Sequence, residues 1–220
     1  MTTFVTDDLK NAIAVQYPER MLEQGSLEWR MARLGHISGS SISDVMSKGK
    51  GITRKNLMMK LLAERLTGTT ADNSWVSPSM EWGVEQEPFA RMEYEVSRET
   101  FVEKTGFWKH PTIPWLGASP DGLVGKDGLV EIKCLNSTTH LEYIFNDEVP
   151  NTYYNQIQCQ LWVTDRLWCD FISYDPRIQK ESKRMFVKRC VRDDKLIAEM
   201  EIEVKAFLAE LDNLIIKLGE

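Results

Sequence analysis

Two carboxylates and one amine lie close together in the sequence between residues 121 and 133. Asp121 lies in the turn Ser119-Pro120-Asp121-Gly122, where proline fixes φ and glycine tolerates a positive φ. Glu131 and Lys133 follow in an alternating stretch, so a strand would place both on one face, roughly 7 Å apart. Hard divalent cations prefer carboxylate oxygens, and a neighbouring ammonium can orient water or stabilise phosphate charge. These residue types predict a Mg²⁺ site held by Asp121 and Glu131.

A β-hairpin is the element that would bring these side chains together. Residues 123–124 begin a short strand, Asp127-Gly128 is a strong hairpin signal, and the chain returns over residues 129–134. The returning strand turns Glu131 and Lys133 to one face and apolar side chains to the other. A surface hairpin with a weak ion pair would explain the same spacing. The turn sequence and the apolar opposite face favour the functional interpretation.

Five stretches, in order along the chain, resemble the phage lambda-type 5′→3′ exonucleases, also described as the YqaJ-like viral recombinase family. This family belongs to the PD-(D/E)xK nucleases, whose active-site signature the Asp121 and Glu131-Ile132-Lys133 pattern resembles. The stretches are Glu28-Trp29-Arg30-x-x-Arg33-Leu34-Gly35-x-Ile37, Trp82-Gly83-x-x-x-Glu87, Ser119-Pro120-Asp121-Gly122, Glu131-Ile132-Lys133-Cys134 and Gln156-x-Gln158-x-x-x-Trp162-Val163. They span most of the chain.

The resemblance implies a role for each residue of the metal site. Asp121, Glu131 and the Ile132 carbonyl would hold Mg²⁺, with two ions expected and Mn²⁺ able to substitute. Lys133 would orient or activate the attacking water. An additional catalytic carboxylate is expected from the helix that follows residue 79, and its spacing from Trp82-Gly83 selects Glu87 over Glu85.

A second group of polar residues predicts an anion site. Arg33 is followed closely by Ser38-Gly39-Ser40-Ser41, and serine hydroxyls with free amides at a helix start bind anions. Capping of a helix by one serine would explain the serines but not the arginine. The resemblance implies that Arg33, Ser40 and Gln156 bind the 5′-phosphate of a DNA end.

Further DNA contacts are expected from a basic loop and from one methionine. Lys48 and Lys50 lie in a glycine-containing loop suited to touching backbone phosphates. The family carries an arginine near Lys50, so this lysine is a departure from its pattern. Met80 lies where the family has an apolar wedge that helps to separate the strands. Pro78 is a second departure, since the family has a lysine there.

Length and composition indicate the number of domains and the cellular compartment. At 220 residues and 42% hydrophobic, the chain is expected to form a single domain over residues 1–220. The predicted strands and helices indicate an α/β fold in which helices flank a mixed β-sheet, and the resemblance implies a restriction-endonuclease-like core. Neither a membrane span nor a signal peptide is recognisable, and four scattered cysteines suit a reducing cytoplasm. The resemblance implies a bacterial host and a phage or prophage origin.

Charge and apolar patterning leave one question open and predict one buried helix face. The net charge of −6 argues mildly against a DNA partner, but seven basic residues lie between Arg177 and Arg192 against one acid. That run is either a solvated face or a nucleic-acid contact. The helix predicted from Met80 to about Val96 is expected to bury its apolar side chains, which are Trp82, Phe89, Met92 and Val96.

The expected function is Mg²⁺-dependent hydrolysis of linear double-stranded DNA. By resemblance, one strand would be degraded processively from a 5′-phosphorylated end to mononucleotides, which leaves a 3′ single strand for recombination. The partners expected by resemblance are double-stranded DNA ends, a single-strand annealing protein and two further copies in a homotrimeric ring. The alternatives are an endonuclease or junction resolvase on the same scaffold, and an inactive DNA-binding module. A glycosidase with paired carboxylates is a more distant alternative.

Overall fold

The structure is a computed structural model that describes residues 19–47, 51–70 and 77–219. Its helices are α1 (Leu27–Arg33), α2 (Ile42–Met46), α3 (Ile52–Thr67), α4 (Pro78–Arg98), α5 (Ser137–Asn146), α6 (Asn151–Thr164) and α7 (Asp194–Lys217). Its strands are β1 (Val102–Glu103), β2 (Trp108–Lys109), β3 (Gly117–Ala118), β4 (Gly122–Val124), β5 (Gly128–Lys133), β6 (Trp168–Tyr174) and β7 (Met185–Val191). Short 3₁₀ turns cover Glu19–Met21, Gly39–Ser41 and Glu181–Lys183.

Five of these strands form a mixed sheet in the order β1-β4-β5-β6-β7. The pairing of β5 with β6 is parallel and places Glu131 opposite Phe171, whereas the other pairs are antiparallel. A parallel pair needs a long crossover, which α5 and α6 supply. The strands β2 and β3 form a separate antiparallel pair. The predicted α/β class, with helices flanking a mixed sheet, is confirmed.

The predicted hairpin is formed by β4 and β5. Gly125 adopts a positive φ of 53° in the turn, a conformation that glycine adopts without a steric penalty. Val130 and Ile132 pack on the α4 side of the sheet with Tyr94, as strand alternation predicts. Leu129 packs on the opposite side with side chains of α6. Both faces of β5 are therefore covered, and Glu131 is buried rather than presented on an open face.

The helix α6 lies between the sheet and a second helical layer. Its eight residues from Ile157 to Thr164 are all buried, which requires neighbours on every side. Ile157 and Leu161 belong to the core that faces the sheet. Cys159, Trp162 and Val163 join a second core built from α2, α3 and α7. Because residues 157–164 of α6 lie between the two cores, the polar side chains of Gln158, Gln160 and Thr164 are shielded from solvent.

The prediction of which face of α4 is buried is largely wrong. Phe89, Met92 and Val96 are 53%, 57% and 75% exposed, whereas Ala90 and Tyr94 on the opposite side of the helix are buried. The small side chain of Ala90 lets the helix approach the sheet closely, and the hydroxyl of Tyr94 donates to the buried carboxylate of Asp170. The contact partners of the helix, rather than its apolar period, thus decide which face is buried.

The basic run from Arg177 to Arg192 is largely neutralised within the chain. Five of its seven basic side chains form ion pairs, namely Arg177–Asp175, Arg184–Glu181, Lys188–Asp147, Arg189–Asp170 and Arg192–Asp194. This arrangement favours an ion-paired surface over a free surface that contacts nucleic acid.

No helix in the described ranges is both long and apolar enough to cross a bilayer.

Candidate active site

The carboxylates of Asp121 and Glu131 meet at the end of the hairpin. The Oδ2 atom of Asp121 accepts a hydrogen bond from the backbone N–H of Ile132, at 2.7 Å. That bond ties the turn before β4 to the residue that follows Glu131 on β5. The ammonium of Lys133 forms an ion pair with Oε1 of Glu131. The structure therefore brings together the two acids and the amine that the sequence predicted.

Glu131 is held by two amides of α6 as well as by Lys133. The Nε2 atom of Gln156 donates to Oε1 at 2.6 Å, and the Nε2 atom of Gln160 donates to Oε2 at 2.6 Å. The Glu131 side chain has no exposed surface. A buried carboxylate needs such partners, since an ion without hydrogen bonds is costly to remove from water.

The electrostatics of the site are those of two like charges held together by one cation. Burial raises the pKa of the Asp121 carboxyl well above its usual range, and the charge of Glu131 raises it further. Burial alone would lower the pKa of Lys133, but Glu131 and Asp121 outweigh it, so this pKa is raised and the amine stays charged. An additional cation would relieve the repulsion between the acids.

The donor set fits Mg²⁺ better than a transition metal. Across the described residues, no group of three or more His, Cys, Asp or Glu side chains could hold a metal ion. Mg²⁺ is commonly bound through one or two carboxylates together with substrate phosphates and waters, so the oxygen donors of Asp121 and Glu131 are compatible with it. Both Glu131 oxygens accept amide hydrogen bonds in this structure. The Ile132 carbonyl remains a predicted third ligand.

Glu87 lies near this pair but is engaged by an arginine. The guanidinium of Arg91, one helical turn further on α4, pairs with the Glu87 carboxylate. A second nitrogen of Arg91 donates to the backbone carbonyl of Asp121, at 2.7 Å. The charge of Glu87 contributes to the raised pKa of Asp121, whereas Glu85 is exposed. Of the two candidate acids on α4, Glu87 is thus the one linked to the site.

The residues predicted to bind a 5′-phosphate are linked to the carboxylates by two separate sets of contacts. Ser40 is exposed in the 3₁₀ turn Gly39–Ser41, and this turn packs against α6 at Gln156. The guanidinium of Arg33 stacks on the ring of Trp29, 4.0 Å from its centroid. The indole N–H of Trp29 donates to Oγ of Ser119, two residues before Asp121. Gln156 contacts Glu131 directly and so lies between the serine turn and the Asp121–Glu131 pair.

Three further residues were predicted from the sequence to contact DNA, namely Lys48, Lys50 and Met80. Lys48 and Lys50 lie outside the described residues. Met80 is exposed in the first turn of α4, where an apolar side chain can reach a ligand. Its helix is capped by Ser77, whose side chain accepts from the Met80 N–H.

Three residues of the site were not anticipated from the sequence. Gln160 binds Glu131, Arg91 joins Glu87 to Asp121, and the ring of Tyr153 lies 5.3 Å from the Lys133 nitrogen. The spacing of Gln156 and Gln160 and that of Glu87 and Arg91 is four residues, which places each pair on one helix face. That spacing was the available signal.

Comparison with known proteins identifies the class of protein that this fold and site represent. The family model of the YqaJ-like viral recombinase domain matches residues 28–167. The chain belongs to this family. The predicted resemblance to lambda-type exonucleases is thereby confirmed.

Solved structures and one viral sequence are similar to this chain. The crystal structure of an alkaline exonuclease (LHK-Exo) from Laribacter hongkongensis has 46% sequence identity and a TM-score of 0.82, covering 88% of this chain and 96% of that one. A phage-related exonuclease from Haemophilus somnus 129PT shares the fold, with a TM-score of 0.68 at 17% identity, covering 84% of this chain and 96% of that one. Uncharacterized protein R354 of Acanthamoeba polyphaga mimivirus is 28% identical over 68% of this chain. The matched region covers 29% of the length of the viral protein.

Proposed function

We propose that this protein is a Mg²⁺-dependent 5′→3′ exonuclease that acts on linear double-stranded DNA. The observation that carries the proposal is the convergence of Asp121, Glu131 and Lys133 at the end of the hairpin. The similarity to an alkaline exonuclease over nearly the whole length of that protein supports it. A second structure of the same relative is a complex with dAMP, which is consistent with a mononucleotide product.

Asp121 and Glu131 would hold the metal, which when bound supplies charge neutralisation and a more acidic water. In the metal-free protein Lys133 keeps its proton, because the two acids raise its pKa. In that state it can orient a water by hydrogen bonding and stabilise the negative charge that develops on phosphorus-bound oxygens. Arg91 contacts both the Asp121 backbone carbonyl and the Glu87 carboxylate, and so fixes these two residues relative to each other.

Recognition of the DNA end is assigned to the serine turn, Arg33 and Gln156. A phosphate monoester at the 5′ end carries more negative charge than an internal phosphodiester, and an arginine fork favours it. The turn Gly39–Ser41 is already packed against Gln156, so a phosphate at Ser40 would lie next to the residue that contacts Glu131. This arrangement would place the first phosphodiester close to the carboxylates.

Digestion of end-labelled linear duplex tests the activity. Duplexes with a 5′-phosphate or a 5′-hydroxyl are incubated with and without Mg²⁺, and products are resolved on a sequencing gel. We expect labelled mononucleotides from the 5′-phosphorylated strand only when Mg²⁺ is present. Asp121→Asn is the control for a contaminating nuclease. Label released from the 3′ end first would contradict the proposed polarity.

The alternative enzyme is an endonuclease or junction resolvase on the same scaffold. Covalently closed circular DNA has no end, so an exonuclease leaves it intact. Cleavage of closed circles by the wild-type protein and not by Asp121→Asn would favour the endonuclease. An inactive DNA-binding module would leave every substrate uncut, although the complete set of two acids and a lysine argues against it.

We also propose assembly into a homotrimeric ring that encloses the duplex and cooperates with a single-strand annealing protein. A net charge of −6 gives one subunit little non-specific grip on DNA, so enclosure would explain processive action. The exposed Phe89, Met92 and Val96 supply an apolar patch suited to a subunit contact. Light scattering and digestion in the presence of trap DNA test this. A monomer that still degrades long duplexes past the trap would contradict it.

A further inference from the structure

Gln160 contacts the buried carboxylate of the site without belonging to any motif that predicted it. Its Nε2 atom lies 2.6 Å from Oε2 of Glu131, while Gln156, one turn earlier on α6, donates to Oε1. The two amides therefore hold the two oxygens of one carboxylate from the same helix face. Gln160 lies within the buried stretch of α6, so its amide cannot move away without a change in the core, whereas Gln156 is only half-buried.

The surroundings of Gln160 do not explain this residue as a packing element. Its side chain is 1% exposed, and its own Oε1 has no hydrogen-bond partner in the described part of the chain. An unpaired buried amide oxygen costs free energy, which an apolar side chain of similar volume would avoid. Ile157 and Leu161, two other buried positions on this helix, are apolar. Gln160 differs from them by its hydrogen bond to Glu131 and by a longer one, at 3.5 Å, to the Ser119 carbonyl.

We propose that Gln160 is a positioning residue that fixes the Glu131 carboxylate for metal binding and DNA hydrolysis. An amide orients a carboxylate without neutralising it, whereas Lys133 does both. With Oε2 held by Gln160, the plane of the carboxylate is set and Oε1 is kept toward Lys133. This inference rests on the proposed nuclease function.

The same helix offers a matched control in Gln158. Its side chain is also fully buried, but its amide donates to the carbonyl of Val191 at 2.9 Å and accepts from the N–H of Asp193 at 2.8 Å. These contacts join α6 to the end of β7 and to the residue that caps α7, and neither involves Asp121 or Glu131. Gln160→Met and Gln158→Met therefore remove comparable buried amides, of which only one contacts Glu131.

The test measures kcat and KM on 5′-phosphorylated duplex, and Mn²⁺ binding by titration calorimetry without DNA. Loss of a residue that orients a metal ligand typically costs about 10- to 100-fold in activity or metal affinity. We expect Gln160→Met to lose kcat and Mn²⁺ affinity in this range with KM little changed. Gln158→Met should lower the melting temperature while keeping both values within about threefold of the wild type on the same scale.

Each outcome decides the proposal. Gln160→Met with wild-type kcat and Mn²⁺ affinity would overturn it, and so would equal losses in the two variants. Gln160→Asn keeps an amide but is one methylene too short to reach Glu131, and it gives the same comparison if the Met variant does not fold. A wild-type protein that neither cuts DNA nor binds Mn²⁺ would overturn the proposed function and this inference with it.

Discussion

Replacing either acid of the site should abolish cleavage, but the two replacements should change stability in opposite directions. Glu131 accepts hydrogen bonds from two buried amides and pairs with Lys133. In Glu131→Gln the new side chain has a single acceptor oxygen, so one amide donor faces an NH₂ group. Lys133 also loses its closest counter-charge. We expect this variant to be less stable than the wild type.

The size of that loss follows from the burial of Glu131. Removing one partner of a buried ion pair costs about 3–5 kcal/mol. The lower value applies here because Asp121 still attracts Lys133 and compensates part of the loss. A loss of about 3 kcal/mol lowers the melting temperature by about 6–12 °C in a protein of this size.

Asp121→Asn should instead stabilise the metal-free protein at neutral pH. Burial and the charge of Glu131 raise the pKa of Asp121 in the folded protein. A raised pKa means that the folded state binds more protons than the unfolded state between the two pKa values, so stability falls as pH rises through this window. Asparagine carries no charge, and its side-chain oxygen can still accept from the Ile132 N–H. The advantage of the variant should therefore vanish below the unfolded pKa of about 3.9.

Urea unfolding of the metal-free proteins at acidic and neutral pH, beside a cleavage assay, measures both effects. We expect Glu131→Gln to unfold at lower urea than the wild type and Asp121→Asn to unfold at higher urea at neutral pH. Both should lose cleavage by several orders of magnitude. Two variants that shift in the same direction, or strong residual cleavage by Glu131→Gln, would refute the reasoning.

Three further substitutions separate recognition, stability and packing. Arg33→Ala removes a charge-assisted contact worth about 1.5–3 kcal/mol, so the preference for 5′-phosphorylated over 5′-hydroxyl ends should fall at least about tenfold in competition digests. Arg189→Met leaves the buried Asp170 carboxylate with the Tyr94 hydroxyl as its remaining partner among the described residues, which should cost about 1–3 kcal/mol in urea unfolding while cleavage is retained. Gly128→Ala would place a Cβ 2.2 Å from the indole of Trp168 and should destabilise the fold by about 1–3 kcal/mol in the same assay. The dependence of the unfolding free energy on urea concentration should stay unchanged.

The parts of the site that the sequence predicts are those fixed by short-range geometry. The turn before Asp121, the hairpin turn and strand alternation place Asp121, Glu131 and Lys133 together with no knowledge of the rest of the fold. Gln160 could not be assigned in this way, because a four-residue spacing defines a helix face but not what that face contacts. The same limit applies to Arg91, whose two partners come from different elements.

The error on α4 has a related physical cause. The apolar period favoured burial of Phe89, Met92 and Val96, since apolar surface is normally removed from water. The helix instead turns Ala90 and Tyr94 toward the sheet, where Tyr94 donates to the Asp170 carboxylate at 2.8 Å. A polar contact between distant residues, together with close helix–sheet approach at a small residue, outweighs the local pattern. Neither is visible in the sequence.

The two ends of the main sheet bear on how the protein resists aggregation. In the described residues, β1 and β7 are the outer strands, and an outer strand offers unpaired backbone groups to any other extended chain. The first is only two residues long and thus a poor template. The second is seven residues long, but Lys188 and Arg189 lie in its middle. Charged side chains on an outer strand oppose edge-to-edge association. We therefore expect Lys188 and Arg189 to disfavour intermolecular sheets even though each is ion-paired within the chain.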